Sequence, residues 1–486
     1  MTRGGARRAR RREFPWATAS TALAPLLAAV LSLAAAAGCT RGTPAVERPN
    51  VLLLTVDTLR ADGLGCYGGS NATPHVDRIA REGALFSSAA CAMPMTRPSV
   101  SSIHTGRHPR TTGVVNNAVA LGDGVPTLAS ALQSAGWTTA AFVGVRLLDT
   151  GAGLFPGFET YEAPPKRYQV PASEVVGPAV RWIAQRDVTR PFFLWVHLFD
   201  PHLPYAPPDD SGGGARMAER GVTRRSLLEA AEDNGGDLPA ATFERALDLY
   251  GDEIEYADRW IGTLLDALES RGLLDHTIVA FAADHGECFD HGIFFEHSDC
   301  LYDGAVKVPL LLRFPARVAA GTRVDSQVEL MQLAPTLLGL AGVTRPGGMD
   351  RPDLFAATAP TDEPAAWALV QHPLYDERAA DARHRKVEGI RSVAGRPSRE
   401  VVVDEQSVAL RDARWKMIRT GDHRELYDLA ADPSEEHDVA ASHPDETKRL
   451  DGLLDRKLAA LPLAPRSAQA IDPRLRETLR ALGYAE

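Results

Sequence analysis

Three apolar runs, each followed at once by charged or imidazole side chains, constrain the fold of this chain more than any other feature. The runs cover residues 51–56, 192–198 and 277–282. Continuous apolar runs of this length predict strands that are covered on both faces, and therefore a mainly parallel sheet flanked by helices. In such sheets the carboxyl ends of the strands meet at one edge, where ligands bind.

The residues that follow these runs are of the types that bind cations. Asp57 follows the first run, Asp200 and His202 follow the second, and Asp284 and His285 follow the third. A carboxylate at the end of a buried strand needs a counter-charge, which a metal ion supplies; helix capping is the alternative for Asp57. A set of oxygen and nitrogen ligands suits manganese, zinc or a related ion better than magnesium or calcium alone.

Thr96 stands at the start of a predicted helix. Pro98 suits the first turn of that helix, and Gly106 suits its end. Free backbone amides and the helix dipole favour an anion at a helix amino terminus. A hydroxyl at this position that touches a metal can ionise and attack phosphorus or sulfur. A simple capping threonine is the alternative.

Several segments, in the same order along the chain, resemble the sulfatase family of the alkaline phosphatase superfamily. They are residues 50–62, 96–107, 199–205, 284–287, 301–310 and 426–433. The resemblance covers about residues 48–320 and 410–440. It implies an α/β fold with a large, mainly parallel sheet sandwiched by helices, as in alkaline phosphatase, and a small carboxy-terminal α+β subdomain.

The resemblance also implies a metal site and a nucleophile. Asp57, Asp284 and His285 would bind one divalent ion, which could be manganese, zinc, calcium or magnesium. Thr96 would be the catalytic nucleophile and a further ligand of the same ion.

Further residues match positions near the substrate in the family. His202 would bind the anionic oxygens or protonate the leaving group, and His297 would assist the leaving oxygen. Arg60 and Lys307 are weaker candidates, for which a structural or surface charge is the alternative. A second ion is conceivable, with ligands from Asp200, His202, His291 and His297.

Two departures from the sulfatase pattern bear on the chemistry. Sulfatases carry Cys or Ser, oxidised to formylglycine, in an element whose fifth position is Arg; here those positions are Thr96 and Val100. Thr96 cannot become that aldehyde, and the proline that follows Cys91 is wrongly placed. Asp57 and Thr58 replace the Asp pair of calcium-binding sulfatases. Both changes favour relatives that use Thr on phosphate or phosphonate esters, such as phosphodiesterases and phosphoethanolamine transferases.

We therefore predict a metal-dependent hydrolase that cleaves an ester by attack of Thr96, with phosphate diesters or phosphonates favoured over sulfates. The alternatives are a sulfuric ester hydrolase that works without formylglycine, a phosphoethanolamine-type transferase, and a non-catalytic surface lipoprotein that binds an anion or glycan. The expected substrate is an anionic ester of a small molecule, glycan or lipid head group. A net charge of −10 argues against nucleic acid as the partner.

The amino terminus predicts export. Residues 1–39 combine a basic start with an Ala- and Leu-rich run, and small residues directly before Cys39 resemble a bacterial lipobox without its usual Leu. An uncleaved single-span anchor is the alternative. We expect a location in the bacterial periplasm or cell envelope, with membrane contact only through this segment. A linker over 40–49, a catalytic domain over 50–345 and a carboxy-terminal subdomain and tail over 346–486 would follow.

Local patterns predict further elements. A Thr cap and a Gly stop bound a helix over 127–136, and apolar spacing indicates a second helix over 253–273. Residues 211–237 are Gly-rich and then charged, which is typical of an inserted surface loop over the active edge. Alternating runs at 414–419 and 425–429 predict a hairpin.

The five cysteines show no Cys-x-x-Cys spacing. They are Cys39, Cys66, Cys91, Cys288 and Cys300. Cys288 and Cys300 flank the motif after the third strand and are the pair we expect to form a disulfide. Small buried thiols are the alternative.

Overall fold

The structure is a computed structural model that describes residues 48–149, 155–208, 221–355, 367–374, 390–398, 407–464 and 477. The predicted signal segment, lipidation at Cys39 and most of the linker lie outside these residues, as does much of the predicted insertion, from 211 to 220. Within the described residues, none of the helices combines the length and the apolar character that a membrane span requires.

The described residues form strands and helices in alternation over the first two thirds of the chain. The strands are β1 (Asn50–Val56), β2 (Ala84–Phe86), β3 (Ala89–Ala90), β4 (Thr138–Val143), β5 (Thr160–Glu162), β6 (Phe192–Leu198), β7 (Asp237–Leu238), β8 (Thr277–Ala283), β9 (Cys288–Asp290), β10 (Ile293–Glu296), β11 (Lys307–Val308), β12 (Leu310–Arg313), β13 (Thr322–Val324), β14 (Val328–Glu329), β15 (Ala368–Gln371), β16 (Ser392–Val393), β17 (Arg396–Pro397), β18 (Val408–Arg411), β19 (Trp415–Thr420) and β20 (His423–Asp428). The α-helices are α1 (Pro74–Glu82), α2 (Thr96–Thr105), α3 (Pro109–Thr112), α4 (Leu128–Ser134), α5 (Ala172–Gln185), α6 (Arg224–Asp233), α7 (Ala240–Glu269), α8 (Asp303–Val306), α9 (Leu333–Ala341) and α10 (Pro444–Ala460).

The three apolar runs are neighbouring strands at the centre of an eight-stranded sheet, in the order β13-β2-β12-β8-β1-β6-β4-β5. β1 is parallel to both β6 and β8, and all three are buried along their whole length. β12 is antiparallel to its neighbours β8 and β2. The prediction of a large, mainly parallel sheet is confirmed.

The sheet brings separate chain segments to one edge. Asp57 directly follows β1, and Asp284 directly follows the adjacent β8. Helix α2 begins at Thr96 beside them, and the Ser99 hydroxyl in its first turn donates a 2.6 Å hydrogen bond to the Asp284 carbonyl. The strand ends and the helix start are therefore fixed against each other.

The two helices that the sequence predicted differ in their outcome. In α4 the Thr127 side chain caps the helix in a reciprocal pair with Ser130, as the Thr signal indicates. Helix α7 begins at Ala240 and not at Glu253, so the predicted start was wrong. Its buried face continues backwards through Phe243 and Tyr250, but charged residues between them mask the apolar spacing.

The carboxy-terminal part contains an antiparallel sheet in the order β15-β18-β19-β20. β19 and β20 pair over residues 415–428, which confirms the predicted hairpin. Helix α10 packs on one face of this sheet through Leu450, Leu453 and Leu454. The opposite face packs against Tyr302 and its neighbours from the segment that follows β10.

A buried cluster of charges joins this second sheet to the first two thirds of the chain. Lys416 of β19 is 0% exposed, and its Nζ lies 3.0 Å from Asp303 Oδ1 and 2.8 Å from Glu435 Oε1. Arg411 of β18 also pairs with Asp303, at 2.9 Å. Because Asp303 begins helix α8, these pairs tie the carboxy-terminal sheet to the segment that carries His297.

Candidate active site

Thr96 and the metal ligands predicted from the sequence come together at the sheet edge. The Thr96 hydroxyl lies 3.4 Å from Asp57 Oδ2 and 3.4 Å from His285 Nε2. Asp284 Oδ2 lies 3.6 Å from the same His285 nitrogen. All four side chains are fully buried. Three segments far apart in the sequence therefore converge on one small volume.

The tautomer of His285 leaves a nitrogen lone pair facing two carboxylate oxygens, and this arrangement suits a cation. His285 Nδ1 lies 3.0 Å from the Gly286 carbonyl and donates to it, so that Nε2 presents a lone pair. Burial lowers the pKa of His285 to about 3, which keeps the ring neutral. The Nε2 lone pair faces Asp57 Oδ1 at 3.7 Å as well as Asp284 Oδ2. Electron-rich atoms in this arrangement repel one another unless a positive charge lies among them.

The two carboxylates are incompletely satisfied. Asp57 Oδ1 and Asp284 Oδ2 accept no hydrogen bond from any described residue. Burial and the charge of Asp57 raise the pKa of Asp284 well above its usual range. Burial also raises the pKa of Asp57, but the imidazole of His197, whose Nε2 lies 3.5 Å from Oδ2, outweighs it, and the pKa of Asp57 is lowered. Asp57 and Asp284 each place a carboxylate oxygen, and His197 a ring nitrogen, within 4.8 Å of one another, so the spacing of the two carboxylates suits a divalent ion between them.

Removal of divalent ions is expected to lower the melting temperature, because Asp57 and Asp284 then repel each other in a site without solvent. Addition of Mn²⁺ at about 100 times its dissociation constant should restore about 2.7 kcal/mol of stability. Thermal unfolding of chelator-treated protein, with and without Mn²⁺, measures the effect.

The matched control for this prediction is Asp284→Asn. It removes one of the two buried charges, so the chelated variant should melt at a higher temperature than the chelated native protein. The variant should also lose the stabilisation by Mn²⁺. A native protein whose melting is unchanged by chelation and by Mn²⁺ would show that this cluster holds no ion.

His297 is placed to donate a proton beside the cluster. Its ring stacks on that of His285, with 4.4 Å between centroids, and its Nδ1 lies 3.3 Å from Glu287 Oε1. Burial disfavours the charged ring, but the carboxylates of Glu287 and Glu296 outweigh it and raise the pKa of His297 to about 9. His297 is therefore protonated at neutral pH and suits a general acid.

His202 lies on the other side of His297, with 5.5 Å between ring centroids. Its Nδ1 donates to the Leu203 carbonyl at 2.7 Å, and its ring stacks on Phe199. Burial lowers the pKa of His202, so the ring is neutral and Nε2 can accept a proton. The two imidazoles thus have opposite protonation states, which separates their chemical roles.

His291, which the sequence offers as a ligand of a second ion, cannot bind one. Its Nδ1 lies 2.7 Å from Asp290 Oδ1 and its Nε2 lies 3.0 Å from the Glu435 carbonyl. Both partner atoms are acceptors, so both ring nitrogens carry protons and neither can bind an ion. Asp200 accepts a hydrogen bond from the Ala172 amide at 2.8 Å. It therefore holds the start of helix α5.

Arg60 and Lys307 lie outside the cluster. Arg60 forms an ion pair with Asp62 at 2.8 Å and donates to the Glu287 carbonyl at 3.0 Å, so it braces the chain beside the cluster. Lys307 is half-buried in β11, where its charge acts on Asp303. These contacts agree with the structural alternative given for both residues.

A disulfide between Cys288 and Cys300 closes the segment that carries His291 and His297. The expected pairing is confirmed. Cys66 and Cys91 are free thiols. The bridge limits how far the His297 side chain can move relative to Glu287, which directly precedes Cys288.

Two residues of the site were missed by the sequence analysis. His197 lies inside the apolar run of β6, and its Nε2 is 3.5 Å from Asp57 Oδ2. Asn117 accepts a 2.9 Å hydrogen bond from the Arg97 amide in the first turn of α2, while its buried Nδ2 makes no hydrogen bond to a described residue. An imidazole within a fully apolar strand was a usable signal for His197. Asn117 had none.

A mainly parallel sheet with a buried group of carboxylates and imidazoles at its carboxyl edge agrees with the alkaline phosphatase-like fold, and solved structures show the same fold. One is described as a complex with its substrate D-glucosamine-2-N,6-O-disulfate; its TM-score is 0.68 at 22% identity, over 85% of this chain and 98% of that one. The phosphonate monoester hydrolase of Agrobacterium radiobacter has a TM-score of 0.65 at 22% identity, over 85% and 95% of the chains.

The family follows from the sequence comparison. The sulfatase family model matches residues 49–343, more than half of the chain. The N-acetylglucosamine-6-O-sulfatase of Bacteroides thetaiotaomicron is 24% identical over 90% of each chain. The protein belongs to the sulfatase family and is an ester hydrolase. Members of this family depend on a metal, which agrees with the buried carboxylate and imidazole group.

Proposed function

We propose that this protein hydrolyses a phosphate or phosphonate ester by direct attack of Thr96. The observation that carries the proposal is the Thr96 hydroxyl, 3.4 Å from both Asp57 and His285 in the buried cluster. Threonine cannot supply the formylglycine aldehyde, so the hydroxyl itself must be the nucleophile. A phosphonate monoester hydrolase among the fold neighbours supports this substrate class.

In the first step Thr96 Oγ1 forms a bond to phosphorus and the bond to the leaving oxygen breaks. The Thr96 hydroxyl releases its proton to solvent before it attacks, because the lowered pKa of the adjacent Asp57 makes that carboxylate a poor proton acceptor. His297, held protonated by Glu287, gives its proton to the departing oxygen. The product is the free alcohol and a phosphorylated Thr96.

In the second step water attacks phosphorus, the bond between phosphorus and Thr96 Oγ1 breaks, and Thr96 takes a proton back from solvent. The neutral His202 accepts a proton from that water through Nε2, because its Nδ1 is committed to the Leu203 carbonyl. His202 then releases that proton to solvent and His297 takes one from solvent, so both rings return to their starting protonation states. Asp57, Asp284 and His285 would hold a divalent ion, which would supply positive charge to offset the negative charge that develops during the reaction.

A substrate panel tests the proposal against sulfate ester hydrolysis, which the names of several relatives suggest. Nitrophenyl sulfate, phosphate, bis-phosphate and phenylphosphonate esters are compared by kcat/KM. We expect a phosphorus ester to exceed the sulfate by at least about tenfold, or about 1.4 kcal/mol of transition-state stabilisation. A sulfate that exceeds every phosphorus ester would refute the assignment.

Contaminating phosphatases are the main risk in this assay, so each activity is also measured in Thr96→Val. An activity that survives in that variant is not due to this site. Addition of an acceptor alcohol distinguishes a transferase, because a phosphorylated alcohol then forms in place of inorganic phosphate or free phosphonate.

A further inference from the structure

A buried row of polar groups runs behind the cluster, from the indole of Trp195 through two hydrogen bonds to His197, which faces the carboxylate of Asp57. Trp195 Nε1 donates to Thr55 Oγ1 at 2.9 Å, and Thr55 Oγ1 lies 2.8 Å from His197 Nδ1. His197 Nε2 in turn lies 3.5 Å from Asp57 Oδ2. All four side chains are fully buried, and they extend from the adjacent strands β1 and β6.

The donors and acceptors in this chain fix the position of each proton. An indole N–H can only donate, so Thr55 Oγ1 accepts from Trp195. The Thr55 hydroxyl proton then needs an acceptor, and His197 Nδ1 is the remaining hydrogen-bond partner of this oxygen among the described residues. His197 Nδ1 therefore accepts, and the ring proton is on Nε2.

The opposite arrangement leaves a polar group unsatisfied. If His197 Nε2 were to bind the cation through a lone pair, Nδ1 would carry the ring proton and donate to Thr55. Thr55 would then accept two hydrogen bonds, and its own proton would have no partner in a site without solvent. Such a buried group is unfavourable, because it has lost its hydrogen bonds to water and gained none in the protein.

We infer that His197 is a positioning residue that holds Asp57, and that it is not a ligand of the cation. Its Nε2–H faces Asp57 Oδ2 at 3.5 Å, outside hydrogen-bond geometry, and attracts that oxygen, so that Oδ1, which makes no hydrogen bond to a described residue, points towards Asp284 and His285. The same contact keeps Oδ2 beside the Thr96 hydroxyl. The inference rests on the cation site of the proposed function but holds whichever ester is hydrolysed.

The test counts the imidazole nitrogens bound to the ion. Pulsed electron paramagnetic resonance of the Mn²⁺-loaded native protein, without substrate, should show one coordinated imidazole nitrogen, from His285. His197→Leu should still show one. Two coordinated nitrogens in the native protein, reduced to one in His197→Leu, would overturn the inference. The native spectrum decides the question even if the variant fails to fold.

Binding of Mn²⁺ by equilibrium dialysis gives an independent measure. Loss of a partner that orients a metal ligand costs about 10–100-fold in affinity, and we expect this loss in His197→Leu. His197→Gln keeps an N–H near the position of Nε2 and should bind Mn²⁺ within about threefold of the native affinity. An equal loss in both variants would contradict the inference. Because no substrate is present, this result is separate from any failure of the proposed chemistry.

Discussion

Thr96→Val is expected to lower kcat by at least about 10³-fold, because the variant keeps the shape of the side chain but removes the hydroxyl that attacks the ester. Thr96 is fully buried at the start of α2, and valine fills the same volume without a group that needs a hydrogen bond. The melting temperature of the variant should therefore stay close to that of the native protein. Steady-state kinetics and thermal unfolding measure the two effects.

Thr96→Ser is the matched control. It restores a hydroxyl at the same place and should recover activity to within about tenfold of the native enzyme, or about 1.4 kcal/mol in the barrier. Acid-quenched native protein should carry the phosphoryl group on Thr96, which mass spectrometry of the peptide detects. Full activity in the valine variant, with no label on Thr96, would remove this residue from the mechanism.

The core of this site was predictable because each of its residues follows a strong local pattern. Asp57 and Asp284 end apolar runs that can only be buried strands, and parallel strands end at one edge. Thr96 begins a helix that Pro98 and Gly106 delimit. These rules place Asp57 and Asp284 at the same edge without any knowledge of their distance, whereas the position of Thr96 beside them followed from the resemblance to sulfatases.

The sequence could not reveal contacts made across the sheet. His197 was read as part of a strand, because only the pairing of β1 with β6 shows that its ring reaches Asp57. His291 is a candidate ligand of a second ion in the sequence, because the sequence does not show which groups hydrogen-bond to its ring. The contact that excludes it, to the Glu435 carbonyl, joins positions 144 residues apart.

The fold, like the site, was predictable where it follows from local patterns and not where it depends on distant contacts. The parallel sheet follows from its apolar runs, whereas the antiparallel β12 is too short to reveal its direction. In β19 the sequence predicts a hairpin strand, and the structure adds that Met417 and Ile418 are buried on opposite faces of the sheet. Lys416 is buried beside them because Asp303 and Glu435 neutralise it, and such distant partners cannot be read from the strand itself.

Lys416→Met is expected to destabilise the protein by about 3–5 kcal/mol, because it removes the charge that neutralises two buried carboxylates. Glu435 is 1% exposed in its side chain and lies 2.8 Å from the Lys416 ammonium. Asp303 keeps Arg411 as an ion-pair partner. The substitution therefore affects Glu435 more, because it removes the ammonium group that neutralises its carboxylate. Urea unfolding measures the change as a lower midpoint.

Two variants show whether the loss comes from an unpaired charge. Lys416→Met combined with Glu435→Gln removes both charges and should recover a large part of the stability, since a buried pair can be replaced by neutral groups at little cost. Arg414→Met, in the turn that leads into β19, removes an ion pair with Asp428 whose arginine is 62% exposed, and it should cost less than about 1 kcal/mol. Equal losses in Lys416→Met and Arg414→Met would show that the buried cluster contributes no more than a surface pair, and that apolar packing alone holds the carboxy-terminal sheet beside His297.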